Sequence, residues 1–449
     1  MVERERSFIS RSRRNPLPTP RSSAARLCVA VAWGALLPAL AWPPAAFAGA
    51  LWYNEPGPRA IAMGTAFAVA GDDLSTIFYN PAALMNTPET RIDVAASGLL
   101  SVDSFHRESE TLGPFEEVEN EGGAMVIPHL IGGTDFGSES LVLALGAYAP
   151  FGPARDYPAD GPQRYAIVES GSTAIYYSIG LGTRILDNLK LGFTANLVQL
   201  NFEQKLMFTL DPTGLERPQL DGSFYVEADD MAWSYQLGAI YDVSPSLSVG
   251  VAYHAPVEFQ IKGTAKGRLP ILGWPGQDNI KVDLEFARMA RAGVAYRTDR
   301  LTTELDLVWS QWSVVQELVV DFEHEYLSVF PAGDIHQERL YEDTWSPRFG
   351  ISYQLYPGKL STRLGLWYEQ GAVPDETASL GSSDSDKFGI SPALEFSLFA
   401  ERATVTMSYM YLKFEDRHIT NSILEAINPL GGNPSIIGNG ELKTTAHAV

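Results

Sequence analysis

The feature that most restricts this chain is a period of two that returns along most of its length. Leu189, Leu191, Phe193, Ala195 and Leu197 alternate with Lys190, Gly192, Thr194 and Asn196. Leu301, Thr303, Leu305, Leu307 and Trp309 do so with Thr302, Glu304 and Asp306. The same holds for Leu360 to Tyr368 and for Ala403 to Tyr411. Alternation of this kind builds strands with one apolar and one polar face. Such segments cover approximately 91–106, 122–134, 140–150, 172–184, 188–207, 227–243, 246–264, 280–297, 301–320, 345–356, 359–372, 387–399, 401–417 and 440–449. That makes about fourteen strands, and bacterial membrane barrels favour an even number.

A soluble antiparallel sandwich alternates too, with its apolar face turned inward. Three features favour a closed membrane barrel. The segments are commonly about ten residues or longer, as a tilted spanning strand must be. Aromatics gather near strand ends, at Tyr176, Tyr177, Tyr241, Tyr253, Trp309 and Trp312, then at Trp345, Tyr356 and Tyr409 to Tyr411, where interface girdles belong. The connections also alternate in length. Those at 135–139, 186–187, 244–245, 298–300, 357–358 and 400 are tight. Those at 107–121, 151–171, 208–226, 265–279, 321–344, 373–386 and 418–439 are long. A barrel with short periplasmic turns and long external loops explains that rhythm; a sandwich does not. Past the N-terminal leader no apolar run approaches the ~18 residues of a membrane helix.

The first 48 residues read as a secretory signal. Arg4, Arg6, Arg11, Arg13, Arg14, Arg21 and Arg26 form a basic lead, 27–42 an apolar core, and Ala46-Phe47-Ala48 a small-residue cleavage site. Cys28, the one cysteine, lies inside this leader. The exported chain would therefore have neither disulfides nor thiol chemistry. Losing seven arginines and two glutamates moves the formal charge from −21 to −26, which argues against nucleic acid as a partner.

Between leader and strands lies a compact stretch, Arg59 to Leu84, rich in Gly and Ala. Asp72 or Asp73 is placed to cap a short helix over 74–78, and Asn80-Pro81 stops it, because the residue before proline avoids the α region. Gly64-Thr65-Ala66 through Asp72-Asp73-Leu74-Ser75-Thr76-Ile77-Phe78-Tyr79-Asn80-Pro81-Ala82 resembles the N-terminal hatch of the FadL/TodX family. These are outer-membrane transporters of long-chain fatty acids and, in some branches, of aromatic hydrocarbons. Tyr148-Ala149-Pro150-Phe151-Gly152 with Gln163-Arg164-Tyr165 is similar to that family's third strand and following loop. Ala252 to Gly263, Leu307 to Ser313 and Gly371 to Asp375 resemble its seventh, ninth and eleventh strands. Gly440 to Val449 resembles the first half of the family's closing strand, which ordinarily ends in an aromatic assembly signal.

The expected organisation is thus a signal at 1–48, a plugging hatch at 49–90 and an all-β transmembrane barrel at 91–449. No cofactor, metal or enzyme chemistry is expected: the seven histidines are scattered, His324-Glu325 lacks a second histidine, and Gly180 and Gly182 lack the rest of a dinucleotide loop. Parity turns Lys190, Arg291, Glu304, Asp306, Arg348 and Arg363 inward, with Glu369 and Arg402. Either these form ion-pair ladders, or Arg291, Arg348 or Arg363 holds a ligand carboxylate by bidentate bonds, with Arg164 a further candidate. Pro150-Phe151-Gly152 either ends the third strand or, as the resemblance implies, kinks it inward and opens the wall. Asn80, Pro81, Ala82, Asp72, Asp73 and Phe78 are the expected gating residues. Leu269, Ile271, Leu272 and Trp274, on an unusually apolar outer loop, either pack on other loops or capture ligand.

The resemblance implies passive transport of hydrophobic small molecules across the outer membrane of a Gram-negative bacterium. Long-chain fatty acids come first and aromatic hydrocarbons second; a general porin and a structural barrel are the rivals. Outer-membrane lipid and the barrel-assembly machinery are the expected partners of a monomer.

Overall fold

The computed structural model describes residues 56–87, 89–150, 155–213, 215–269, 274–323, 334–428 and 435–449, with backbone alone at 274 and 275. The leader at 1–48 lies outside them, as do Phe151, Gly152, Ile271 and Leu272. Fourteen antiparallel strands follow in chain order. They are β1 (Arg91–Arg107), β2 (Met125–Thr134), β3 (Leu141–Tyr148), β4 (Glu169–Leu186), β5 (Leu189–Thr209) and β6 (Asp221–Ser244). Next come β7 (Leu247–His254 and Val257–Leu269), β8 (Trp274–Phe286 and Met289–Arg297), β9 (Leu301–Ser310 and Glu317–Phe322) and β10 (Ile335–Glu338 and Thr344–Tyr356). The series ends with β11 (Leu360–Glu369), β12 (Lys387–Leu398), β13 (Ala403–Ser408 and Met410–Phe414) and β14 (Gly440–Ala448). Each pairs with the next, and β14 returns to β1 from Leu99↔Ala448 to Arg107↔Gly440. The barrel is closed. Closure is what lets a sheet cross lipid; here the seam is paired in its upper part, from Leu99 of β1 and Met410 of β13 upward.

Along β5 the inward set, Lys190, Thr194, Asn196, Val198 and Leu200, is buried, while Leu191 and Phe193 are exposed on the wall. The outward apolar band ends in two aromatic girdles. Tyr241, Tyr296, Tyr353 and Tyr356 stand beside the tight turns, and Tyr177, Trp233, Tyr235, Trp345 and Tyr368 at the far rim. Two aromatics grouped with the girdles by sequence, Tyr176 and Trp312, instead turn into the lumen. Arg402, expected to face inward, is exposed in the turn before β13.

Two long connections shrink. Residues 265–269 and 274–279 are strand, not loop: β7 and β8 pair from Val257↔Phe286 to Leu269↔Trp274. The segment 321–344 likewise contains the end of β9 and Ile335–Glu338. Above the membrane both faces of a strand can be polar, so alternation fades there although the ladder continues.

Residues 56–87 fill the lower lumen with two short helices, α1 (Pro58–Ala62) and α2 (Thr76–Tyr79), and a 3-10 turn over Pro81–Asn86. The expected helix over 74–78 starts later. Asp73 accepts hydrogen bonds from Ser75 N, 2.9 Å away, and from the Ser75 hydroxyl, ordering the turn ahead of α2. Asn80 is extended, at φ −159°, and its side chain accepts from Ala82 N, so it ends α2 and caps the 3-10 turn. The wall makes room for this turn with glycine. A Cβ on Gly192 would lie 2.1 Å from Ala82 N, and one on its cross-strand neighbour Gly238 1.9 Å from Asn80 Oδ1.

Candidate functional site

The plug is held mainly by its own backbone. Asp306 on β9 accepts from Phe67 N and Ala68 N, each at 3.0 Å, and Glu304 accepts from Val69 N at 2.6 Å and Ala70 N at 2.7 Å. Two residues apart on one strand, both carboxylates face inward and are buried. Four consecutive N–H groups without a helix or sheet to satisfy them thereby gain side-chain carboxyl acceptors. Side-chain amides add to this. Asn80 donates to Ala68 O at 2.7 Å, and Asn86 donates to Val69 O and Gly71 O while accepting from Lys190.

The lumen arginines have partners inside the chain. Arg363 grips the plug's Asp72 with both guanidinium ends, at 3.2 and 2.7 Å, and lies 3.3 Å from Glu395. Arg348 bonds Glu369 at 2.9 Å and the Thr65 hydroxyl, and lies over the Trp367 ring. Arg291 donates to Thr65 O and stacks on Tyr79. Arg164 sits elsewhere, among the outer loops. It is 2.6 Å from Asp221 and also bonded to Glu216 O and the Tyr165 hydroxyl. Three of the four candidate carboxylate holders therefore meet the plug, and the carboxylate that Arg363 holds two-handed belongs to this chain. Every buried lysine and arginine among the described residues has such a partner.

Burial pushes the Asp73 carboxyl up to about 6; the neighbouring Asp93 adds to the rise and Arg59 opposes it. Asp93 itself accepts from Leu74 N at 2.7 Å. One plug carboxyl thus titrates near neutrality beside a wall carboxylate.

Above the plug the lumen turns apolar. Phe78 stands at the boundary, packed edge-on against Tyr79, Tyr148, Tyr176 and His254. From it a single cluster runs upward through Val198, Leu200, Phe208, Phe224, Phe259 and Trp312, and includes Leu269 of the expected capture group. Trp274 opens the second half of the β7–β8 hairpin, its backbone opposite Leu269. Beside Phe78 the wall changes as well. β3 ends at Tyr148, whereas β4 begins at Glu169, below which its Tyr176 is the last partner of β3. Ala149 and Pro150 are buried, and Arg155–Asp156 rejoins β4 at Ser170 and Glu169.

Parity had placed Glu304 and Asp306 inward but as ion-pair partners. Their backbone targets leave no mark in a side-chain pattern. The available signal was two acids at i and i+2 on one inward face with no cation on the same strand.

The chain matches the family model described as outer membrane protein transport protein (OMPP1/FadL/TodX) over residues 40–442. A Neisseria meningitidis serogroup B protein, named as an outer membrane protein, is 24% identical over 399 residues, 79% of this chain and 84% of that one. The Escherichia coli long-chain fatty acid transport protein is 21% identical over 204 residues, 42% of this chain and 44% of its own. Among solved structures, a Pseudomonas aeruginosa FadL homologue superposes with a TM-score of 0.73 at 15% identity, covering 91% of this chain and 97% of its own. The Pseudomonas putida toluene transporter TodX does so at 0.65 and 17%, covering 88% and 96%. At these identities the superpositions establish the fold.

Proposed function

Because the chain belongs to the OMPP1/FadL/TodX family of outer-membrane transport proteins, we propose that it carries uncharged hydrophobic small molecules passively across the outer membrane. Outer loops and the β7–β8 hairpin around Leu269 capture the solute. The apolar lumen above Phe78 holds it, and movement of the plug about Asn80-Pro81-Ala82 releases it sideways, past the end of β3 at Pro150. The exported protein comprises the hatch and barrel expected at 49–90 and 91–449, is inserted by the barrel-assembly machinery and acts as a monomer.

One observation carries the reading: an unbroken apolar cluster above the plug, with the buried cations already paired. An apolar solute gains roughly 0.8 kcal/mol per buried methylene by staying out of water, so passage from the apolar lumen straight into lipid avoids that cost. Long-chain fatty acids, the class the sequence favoured first, are the second reading. Arg363 favours it, since a ligand carboxylate could replace that of Asp72 when the plug moves. The aqueous porin conflicts with the filled lower lumen.

Native mass spectrometry of the protein from its own outer membrane, in mild detergent, tests this. An uncharged apolar adduct is expected. A fatty acid lost on Arg363→Gln would establish the second reading, and an empty barrel that conducts ions freely would overturn both.

A further inference from the structure

The wall has a second weak place, away from β3. β6 and β7 pair from Ser244↔Leu247 up to Gln236↔His254, and again from Asp229↔Lys262. Between these, Asp230 to Ser234 on β6 and Pro256 to Ile261 on β7 have no ladder. Pro256 has no N–H to give, and side chains replace backbone bonds: Ser234 donates to Ala255 O, and Asp230 accepts from Gln260 N at 2.7 Å. β8 and β9 lapse at the same height, between Val282↔Val320 and Met289↔Ser310.

A cleft of about 790 Å³ occupies this lapse. Its floor includes Ala232, Phe259 and Val315, all members of the apolar lumen cluster. Met231 and Trp233, both exposed on the wall, form its lower sill. Trp233 stands about eleven residues above Ser244, where β6 ends at the tight turn, the length a tilted strand needs to cross the hydrocarbon. The cleft therefore opens at the outer interface, above the plug, with the lumen behind it. Its rim is acidic: Asp229, Asp230, Glu258, Asp283, Glu285 and Glu317 face one lysine, Lys262. Asp230 is bonded to Gln260 N, Glu317 lies 2.8 Å from His336, and Glu285 lies 3.7 Å from Arg288.

We propose that this lapse between β6 and β7 is a lateral entry port through which uncharged hydrophobic molecules pass from the outer leaflet into the lumen, and that its acidic rim turns fatty-acid anions away. The inference rests on the transport reading and adds a route and a charge filter to it. A molecule dissolved in the outer leaflet reaches the apolar floor across Trp233 without first entering water among the loops. A carboxylate travelling the same way meets a rim on which six acids outnumber the one lysine, within a Debye length.

The test uses the full chain in outer membranes of cells lacking other hydrophobe channels, with labelled toluene and labelled oleate as probes. Ala232→Cys places a thiol on the cleft floor; the only native cysteine is Cys28. Labelling that thiol on the assembled barrel with a bulky methanethiosulfonate should cut toluene uptake to background, and reductant should restore it. The unaltered protein should exclude oleate, and Asp229→Asn with Glu258→Gln and Asp283→Asn should admit it. Unchanged toluene uptake after complete labelling, or a thiol that reacts only in the denatured chain, overturns the port. Oleate uptake equal in the unaltered and neutralised proteins overturns the filter. If the unaltered protein carries neither probe above background, the transport reading itself fails, which separates the two failures.

Discussion

The lower and upper halves of this barrel are one sheet put to opposite uses. Below Tyr148 and His254 the ladders between successive strands from β1 to β12 run on to the tight turns, whereas β14 pairs with β1 only from Leu99 and with β13 only from Met410 upward. The inward residues there include glycines and charged groups fitted to a plug. Above that level β7, β8, β9 and β10 are each interrupted, β3 stops, and the inward residues are apolar. The lower half gains specificity from satisfied polar groups, which must all be met once buried. The upper half surrenders ladder bonds, and so becomes the place where an apolar solute can pass the wall. Sealing and admission are separated by height rather than by domain.

The sharpest way to break this contrast is to strip the lower clamp. Glu304→Ala with Asp306→Ala leaves four buried N–H groups of Phe67 to Ala70 without acceptors. An intramolecular hydrogen bond contributes about 0.5–1.5 kcal/mol, so losing four should cost the seated plug on the order of 4 kcal/mol. Single-channel recording in planar bilayers should turn from an almost closed barrel to a persistently conducting one. Phe259→Ala, in the upper half, should leave conductance closed and weaken only hydrophobe binding. A closed double variant would mean the clamp does not hold the plug.

A smaller effect comes from acid. The raised carboxyl of Asp73 binds its proton more tightly in the seated plug than when free. Below the ordinary value of 3.8 both states are protonated and nothing is lost. As pH climbs through about 6 the seated plug bears the full penalty, at most about 3 kcal/mol at 1.36 kcal/mol per unit. Spontaneous openings should therefore become rarer from pH 7 to pH 5, and Asp73→Asn should flatten the dependence. Openings that become commoner on acidification to pH 5 would contradict the assignment.

The contrast also explains what could be read from the residues alone. Lipid imposes a period of two wherever a strand crosses it, so the spanning parts of β5, β9 and β11 were plain from Leu191, Leu305 and Leu364. Above the membrane that pressure ends, and Lys266, Arg268 and Asn279 look like loop although they continue the β7–β8 ladder. The seat was hidden for another reason. A glycine in a strand reads as a weak point, and only the plug's position shows that Gly192 and Gly238 are voids shaped to Pro81-Ala82. The lapse between β6 and β7 had one visible trace, Pro256 inside an otherwise regular strand.

The smallest expected effect bears on the ion pair that looks strongest. Asp72 is held by Arg363 at 2.7 Å, yet its side chain is 42% exposed, while that of Arg363 is 5% exposed. Pairs open to water contribute about 0–1 kcal/mol. Asp72→Asn leaves Arg363 with Glu395 at 3.3 Å, and Arg59 keeps its own 2.6 Å contact to the same carboxylate. No buried charge is orphaned, so plug opening in the same bilayer recordings should change by less than about 1 kcal/mol. Should Asp72→Asn instead open the barrel as fully as loss of Glu304 and Asp306, the plug is pinned by one charge rather than by its backbone. Release by a competing ligand carboxylate would then become the stronger mechanism.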